Sequence, residues 1–551
     1  MDAKDLSQKI RDWYVEQVTL LLKRYFSDFT IPVLLAGYPI GANVRSEITW
    51  ALAYLKKFGI DRLENWSIAE AIGHILGDID GNAVTTFYSF RTAESLLPFG
   101  TFENNPVLKQ LPADRKVNIC KACDTSAIYD SQENTLPHHP NNYWGVLARA
   151  EYGRKLLGIL DDEAVLNASI EKINTLLQNN SRGFFDDSPD FNGRYDIYSF
   201  DFHLFLEPLW SLLEQKQLAY NLKQHARLLE VIALENGAAV AWGRSSGALS
   251  LCMTMEFGAV VVSQGFVSHP ERMLGLINNA LELYASVWTD NNLTTAQRNK
   301  MTYRYRGPHR LFQMTFDCLT KIAFSAYQLQ SADASIPVEE NKNQLFPGMD
   351  TLIPLSDDNA AVWMFRNEYM SFQLPLVHGR EQNSGNSDYV SWLHSPGIFE
   401  NPVDSDLYCG IPLISYRGKV FYTKAKPISI KKILNGIIIV HDQFRCIHDA
   451  VPGVLTGRRE IRYTVNGSQV HAAEKIQFKQ CPDGCVIAVP KVKTGLAVRV
   501  DACSSSAYTT NVPVAGISAW RSFWGKIESV IEIHIKPSTE LQLQYTMEVL
   551  D

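Results

Sequence analysis

The hydrophobic pattern of this chain changes its period once, near residue 330, and the two periods call for two kinds of layer. Before that point apolar residues recur at helical spacing. In residues 5–27 they fall at Leu6, Ile10, Trp13, Tyr14, Val18 and Leu21, one stripe of a 3.6-residue helix. Further helices are predicted near 83–97, 162–179, 197–215, 217–236, 245–264, 271–288 and 308–328. One more is predicted to begin near Val44, with Asn43 or Ser46 as cap, and another after Asn65, with Ser67 and Glu70 as a capping box. Residues 98–139, rich in Pro, Asn, Asp and charge, read as a long irregular excursion. After residue 330 come QSADASIPVEENKNQLFPGMD and then short alternating runs such as GIIIVHDQFRCI, REIRYTVNG and SVIEIHIK. Period-two alternation between turn residues marks half-buried antiparallel strands.

A chain of 551 residues exceeds one hydrophobic core. Helix following helix without a βαβ pattern fits an α/α toroid or a solenoid. The toroid is preferred, because chemically capable groups recur at helix starts and a toroid gathers those starts at one end. The expected fold is therefore an α/α toroid, incomplete or six-hairpin, over residues 1–330, a linker over 331–358, and an antiparallel β-sandwich over 359–551.

The net charge of -7 comes without a sustained Lys/Arg run, which argues against a nucleic-acid or anionic-membrane partner. No apolar run approaches a membrane span. The charged, amphipathic start MDAKDLSQKIRDWYVEQ has no apolar signal core, so a cytoplasmic protein is expected. Nine cysteines include a Cys120–Cys123 pair and a Cys481–Cys485 pair. Either pair can form a disulfide or contribute to a structural metal site, but reduced thiols are the expectation, and no metal or other cofactor is called for. The oligomeric state is not legible.

Polar and aromatic groups collect at several helix mouths. Residues 182–210 hold Asp186, Asp187 and Asp190, then Tyr195, Asp196, Tyr198, Asp201 and His203 running into an apolar helix. A second collection is His138, His139, Asn141, Asn142, Tyr143 and Trp144. Such groups at the open ends of apolar helices are what a cleft for a sugar or an acid uses.

The order of parts resembles the toroid-plus-sandwich enzymes that act on uronic-acid polysaccharides, the heparinase II/III-like and chondroitin AC-type lyases. Locally it looks like the DUF2264 family. The segments that carry the likeness are Gly183-Phe184-Phe185-Asp186-Asp187, Arg194-Tyr195-Asp196-Ile197-Tyr198 with Phe202-His203, Trp242-Gly243-Arg244-Ser245, and Tyr305-Arg306-Gly307-Pro308. In the β region PLVHGREQNSGNSDYVSWLHSPGI, with His378 and His394, resembles the segment that follows the toroid in those families. The chain departs from the family pattern in two places. YGRSxxYRF becomes WGRSSGALSLC, and YSGPGS becomes YRGPHR, which brings His309 and Arg310.

The resemblance implies an enzyme that cleaves uronic-acid oligosaccharides by β-elimination. That reaction needs a clamp on the carboxylate, a base for the C5 proton and an acid for the leaving oxygen. Arg244 suits the clamp. Tyr195, Tyr198, His203 and His309 are the proton-carrier candidates. Asp187, Asn142, Trp144, Trp242, Tyr305, Arg306, His378 and His394 are the substrate-binding candidates. Each has a structural alternative: core packing for the tyrosines and His203, an interhelical ion pair for Arg244, solvated loops for the rest. Hydrolysis is the competing reaction. It needs two carboxylic groups, and Asp186, Asp187, Asp196, Asp201 and Glu256 offer several pairs. A small-molecule cyclase or isomerase, or a non-catalytic glycan-binding protein, fits the same fold.

Overall fold

Helices that are amphipathic alternate along the first 330 residues with helices that are buried on nearly every side. α1 (Ala3–Tyr25) is of the first kind: Asp2 and Asp5 close a capping box at its start, and Leu6, Ile10, Tyr14, Val18 and Leu21 form its buried stripe. α11 (Ala248–Ser263) is of the second kind, buried from Ala248 through Val262. A helix with no polar face has to be surrounded by other elements, and this difference sorts the helices into two rings.

The computed structural model describes every residue except 27–30, 32–33, 36–37, 82–85, 138, 181, 190–192, 235–236, 243–246, 291, 295–308, 358–359, 378–409, 424–426, 447–453, 493–495, 514–520, 523–524 and 551. The other helices are α2 (Ala42–Lys57), α3 (Ile68–Gly77), α4 (Thr86–Leu96), α5 (Pro106–Lys109), α6 (Ala113–Ala122), α7 (Asn142–Leu157), α8 (Ala164–Gln178), α9 (Ile197–Phe205), α10 (Gln215–Ile232), α12 (Pro270–Val287), α13 (His309–Leu329) and α14 (Lys342–Leu345). α2 packs on α4, α4 on α7, α7 on α9, α9 on α11, α11 on α13, and α13 back on α2. The inner ring thus closes with six helices. Each is preceded by an outer helix: α1, α3, α6, α8, α10 and α12 in turn. The choice between an incomplete and a six-hairpin toroid is settled in favour of six hairpins.

Details of the sequence reading change. Ser67 caps α3, accepting from the Glu70 amide at 3.4 Å, but among the described residues Glu70 does not return the bond that a capping box requires. α2 instead starts behind Gly41 with no side-chain cap, so neither Asn43 nor Ser46 plays that part. The 98–139 excursion contains α5 and α6, and α6 packs on α3 and α4. Two-residue hairpins occur at β1–β2 (Leu34–Leu35, Tyr38–Pro39), β3–β4 (Arg62–Leu63, Trp66–Ser67) and β5–β6 (Thr289–Asp290, Leu293–Thr294).

The segment expected as a linker holds α14 and the first strand of a three-stranded antiparallel sheet, β7 (Met349–Pro354), β8 (Ala361–Arg366) and β9 (Ser371–Leu376). β8 is buried on both faces. Val362 and Met364 join the toroid core, whereas Trp363 and Phe365 join the core of the β region. Successive side chains of a strand point to opposite faces, so this one strand serves two hydrophobic cores.

The remaining strands form one antiparallel twelve-stranded sheet. Its path begins at β17 (Leu496–Cys503) and runs through β21 (Glu540–Val549), β15 (Gln469–Phe478), β14 (Val454–Asn466), β13 (Gly436–Cys446), β11 (Lys419–Tyr422), β10 (Pro412–Tyr416), β16 (Gly484–Val492) and β20 (Gly525–Ile535) to β18 (Ala507–Pro513). β12 (Ser429–Ile433) pairs with β13, and β19 (Arg521–Ser522) with β20. The two ends of the path, β17 and β18, are consecutive in the chain across residues 504–506. Laid flat, nine strand spacings of about 4.8 Å would part them by roughly 43 Å, and a three-residue turn cannot span that. The sheet therefore folds over on itself around Ile437, Ile461, Ile476, Ile487, Ile533 and Leu543. This is the expected sandwich, made from a single curled sheet.

Among the described residues the cysteines are free thiols, including Cys120, Cys123, Cys481 and Cys485. No group of three or more metal-ligating side chains occurs among them. Among the described residues no helix is long and apolar enough to cross a membrane.

Candidate active site at the mouth of the inner ring

The inner helices run parallel, which follows from which of their residues meet. Early residues meet early ones: Gln313 Nε2 of α13 donates to Glu47 Oε1 of α2 at 3.3 Å, and Glu47 also pairs with Arg91 of α4. Late residues meet late ones: Tyr54, Leu97, Leu156 and Gln328 line one cavity of ≈ 170 Å³ at the far end. The N-termini of the inner helices therefore open on one rim, where aligned dipoles favour a negative charge; Asp187 and Asp196 supply one at α7 and α9, while α2 and α11 start without a side-chain cap.

The loop before α9 builds part of this rim, and its acids do the building. The Asp186 carboxylate accepts from the Ser188 amide at 2.9 Å, the Ser188 hydroxyl at 2.7 Å, the Gly193 amide at 2.7 Å and the Arg194 amide at 2.9 Å. Asp187 is fully buried and caps α7 from outside, accepting from the Asn142 amide at 2.7 Å. Asn141 Nδ2 closes the junction by donating to the carbonyls of Asp186 and Ser188. Asp196 is the N-cap of α9, accepting from the Tyr198 amide at 3.0 Å. These carboxylates hold the mouth in shape, so three of the five acids weighed for hydrolysis are engaged by backbone donors.

Tyr195 is buried. Its carbonyl accepts from the Trp242 indole at 2.7 Å, which ties the α9 loop to the segment entering α11. Burial, reinforced by the Asp186 charge, pushes its phenol above the usual range. The phenol therefore stays protonated, though as a weaker acid than an ordinary tyrosine. Tyr198 is half-buried in the first turn of α9. Asn142 is buried at the start of α7, and its Oδ1 has no partner among the described residues. Trp144 faces the outer wall, edge-on to Tyr129 at 6.2 Å and under Lys172 of α8.

His203 lies deeper, fully buried in a box of Phe185, Phe202, Phe257 and His225. Nδ1 contacts the Ser199 carbonyl at 3.1 Å, and Nε2 has no partner among the described residues. Burial first, then the neighbouring His225, holds its pKa well below the ordinary value. The residue is a neutral core histidine, and this placement does not fit the role of a solvent-connected base. Arg244, Tyr305, Arg306, His378 and His394 lie outside the described residues. His309 is described as the first residue of α13, without its side chain.

A ladder of buried charges on the inner helices runs below the mouth, and the sequence reading did not assemble it. Glu47 pairs with Arg91, and Arg91 with Asp317 at 3.3 Å. Lys321 reaches Glu256 at 2.6 Å and Asp201 at 3.5 Å. Arg149 holds Glu94 in a two-pronged pair, and the Trp50 indole donates to the same carboxylate at 3.0 Å. Five acids thus face three bases. Burial, opposed by Lys321 and aided by Glu256 and Asp317, pushes the Asp201 carboxyl up to about 7, while Glu256 is also raised by burial. Burial works against an ionised Glu94 as well, but Arg149 outweighs it and holds that group below its ordinary value. The sequence signal was there, in charged residues isolated inside apolar helical runs such as GVLARAEYG and DCLTKIAF.

The fold and the mouth define a class: a six-hairpin α/α toroid followed by an antiparallel β-sandwich. Among solved structures the chain is similar in arrangement to the chondroitin AC lyase of Streptomyces coelicolor A3. Against that lyase in complex with chondroitin sulphate, identity is 12%, coverage is 98% of this chain and 79% of that one, and the TM-score is 0.49. Against a point mutant of the lyase, identity and coverage are the same and the TM-score is 0.46. A GH127 β-arabinofuranosidase matches at 8% identity over 100% of this chain and 93% of that one, with a TM-score of 0.32. Likeness at this level concerns the course of the chain and says nothing of chemistry. No family model and no curated protein matches the chain, so the DUF2264 likeness stays confined to the local segments that carry it.

Proposed function

We propose that this protein is a carbohydrate-active enzyme that cleaves uronic-acid-containing oligosaccharides by β-elimination at the mouth of the inner ring. One observation carries the reading: the inner helices α2 and α11 start at the rim without a side-chain cap, and an uncapped helix start favours a carboxylate. Arg244 precedes α11, and Tyr305, Arg306 and His309 precede or open α13. In the sequence these residues adjoin the starts of α11 and α13. In the proposed reaction Arg244 neutralises the uronate carboxylate, which acidifies the C5 proton. Tyr198 or His309 removes that proton, and Tyr195, whose raised pKa keeps its proton, protonates the leaving oxygen.

Hydrolysis is the weaker reading, because Asp186, Asp187 and Asp196 spend carboxylate oxygens on backbone amides and Asp201 and Glu256 share Lys321. The test is a panel of uronic-acid oligosaccharides followed by absorbance in the unsaturated-uronate band. The parent chain is expected to generate the chromophore, and Arg244→Gln to slow it by about a hundredfold or more, as when one oxyanion-stabilising donor is removed. Cleavage without chromophore, or an unchanged rate in Arg244→Gln, counts against the proposal.

A further inference from the structure

The loop that shapes the mouth has an outer side, and a groove of ≈ 530 Å³ runs along it, bounded by Arg182 and Phe184, by α10 and by β7. That volume falls within the range of ligand pockets, about 300–1,000 Å³. α10 contributes Tyr220, Gln224 and Arg227, which share one helix face through their spacing of four and three. β7 pairs with β8 alone in its three-stranded sheet, so it is an edge strand beside the groove.

The groove is a built feature. Gly183 adopts φ +77, and the chain passes so close to α10 that a Cβ there would lie 2.7 Å from both the Tyr220 ring and the Gln224 side chain. Only glycine fits this approach. Arg182 is held by Asp357 at 2.8 Å. Arg227 is exposed and has no carboxylate partner among the described residues. Tyr220, 41% exposed, lines the same groove.

The groove also shares its walls with the mouth. Ser356, next to Asp357, is hydrogen-bonded to the Tyr195 phenol. Phe184 lines the groove two residues before Asp186 organises the rim. The groove and the mouth thus lie on the two sides of one loop.

We propose that the groove is an accessory subsite for the distal, anionic part of a glycan chain. Arg227 takes a carboxylate or sulfate group of that chain. Tyr220 offers a ring face to a sugar, and Gln224 and Thr351 offer polar groups to its hydroxyls. The proposal rests on the uronic-acid reading of the mouth.

Titration calorimetry on the full chain tests it with a uronic-acid disaccharide, a uronic-acid octasaccharide, dextran and dextran sulfate. Arg227→Gln is expected to weaken the octasaccharide about tenfold and to leave the disaccharide unchanged, with Arg227→Lys recovering most of the loss. Tyr220→Ala is expected to act in the same direction, and thermal melts check that each variant is folded. Equal octasaccharide affinity in folded Arg227→Gln and parent chain overturns the subsite. If no uronic-acid oligosaccharide binds but dextran sulfate binds through Arg227 and dextran does not, the functional reading falls and the anionic groove stands. If neither polyanion binds, the groove falls as well.

Discussion

His225 makes two hydrogen bonds that fix one neutral tautomer. Its Nδ1–H donates to the Asn221 carbonyl at 2.9 Å, while Nε2 accepts from the Phe185 amide at 3.4 Å. Burial lowers its pKa to about 4. The unfolded chain, with an ordinary imidazole near 6.5, binds the proton first as pH falls. The stability that His225 contributes is therefore complete above about pH 6.5 and is lost as pH falls towards 4, by up to roughly 3 kcal/mol. His225→Gln is expected to flatten that acid limb in urea titrations taken at several pH values, and an unchanged limb would show that His225 is not its source. The residue scale is also where sequence reasoning was least secure. The segment 182–203 stood out for its acids and aromatics, yet Asp186, Asp187 and Asp196 turned out to organise backbone and His203 to fill the core. Type and spacing show that a side chain can do chemistry. They do not show which amides in a folded loop will claim it first.

The helices were legible because a 3.6-residue stripe is written locally, and the observed bounds lie close to the predicted ones except at 197–215, where α9 ends at Phe205 and a 3-10 turn follows. The ring and its charge ladder were not legible, because no sequence repeat marks the hairpins and a one-dimensional pattern does not say which helix another will face. Lys321, alone on an apolar stretch of α13, acquires meaning only when α9 and α11 bring Asp201 and Glu256 beside it. Removing it leaves two buried carboxyls without their cation. Lys321→Met is expected to cost about 3–5 kcal/mol of unfolding free energy, read from urea titrations. Asp201 carries the opposite pH signature to His225. Its folded pKa, about 7, lies above the ordinary carboxylate value. The stability tied to its proton is present below about pH 4 and is lost as pH rises through 7. Asp201→Asn keeps an oxygen for Lys321 and removes that titration. Its stability relative to the parent chain is therefore expected to grow between pH 4 and 8, and a constant difference over that range would refute the assignment.

At the scale of the whole molecule, toroid and sandwich are joined by a shared strand and by buried polar contacts. Gln373 of β9 donates to the Ile232 carbonyl at 2.6 Å, also meets the Ala239 carbonyl, and accepts from the Ala241 amide at 3.3 Å. Arg366 of β8 reaches the Ala233 carbonyl. These contacts brace the segment between α10 and α11 that leads to Trp242 and then Arg244. Gln373→Leu strands three buried backbone groups, each costing about 1–3 kcal/mol. Calorimetry is expected to show its melting split into separate toroid and sandwich transitions, and a single cooperative transition at the parent temperature would contradict this coupling. The change of period at residue 330 announced two parts, but the alternation that places β8 in both cores becomes readable only once both cores exist.

The central claim is that the mouth eliminates rather than hydrolyses, and mass balance tests it most directly. A single purified uronic-acid oligosaccharide is incubated with the full chain, and both product masses are read. Elimination requires the two masses to sum to that of the substrate, and this is the expected result. A sum heavier by one water would establish hydrolysis and contradict the account.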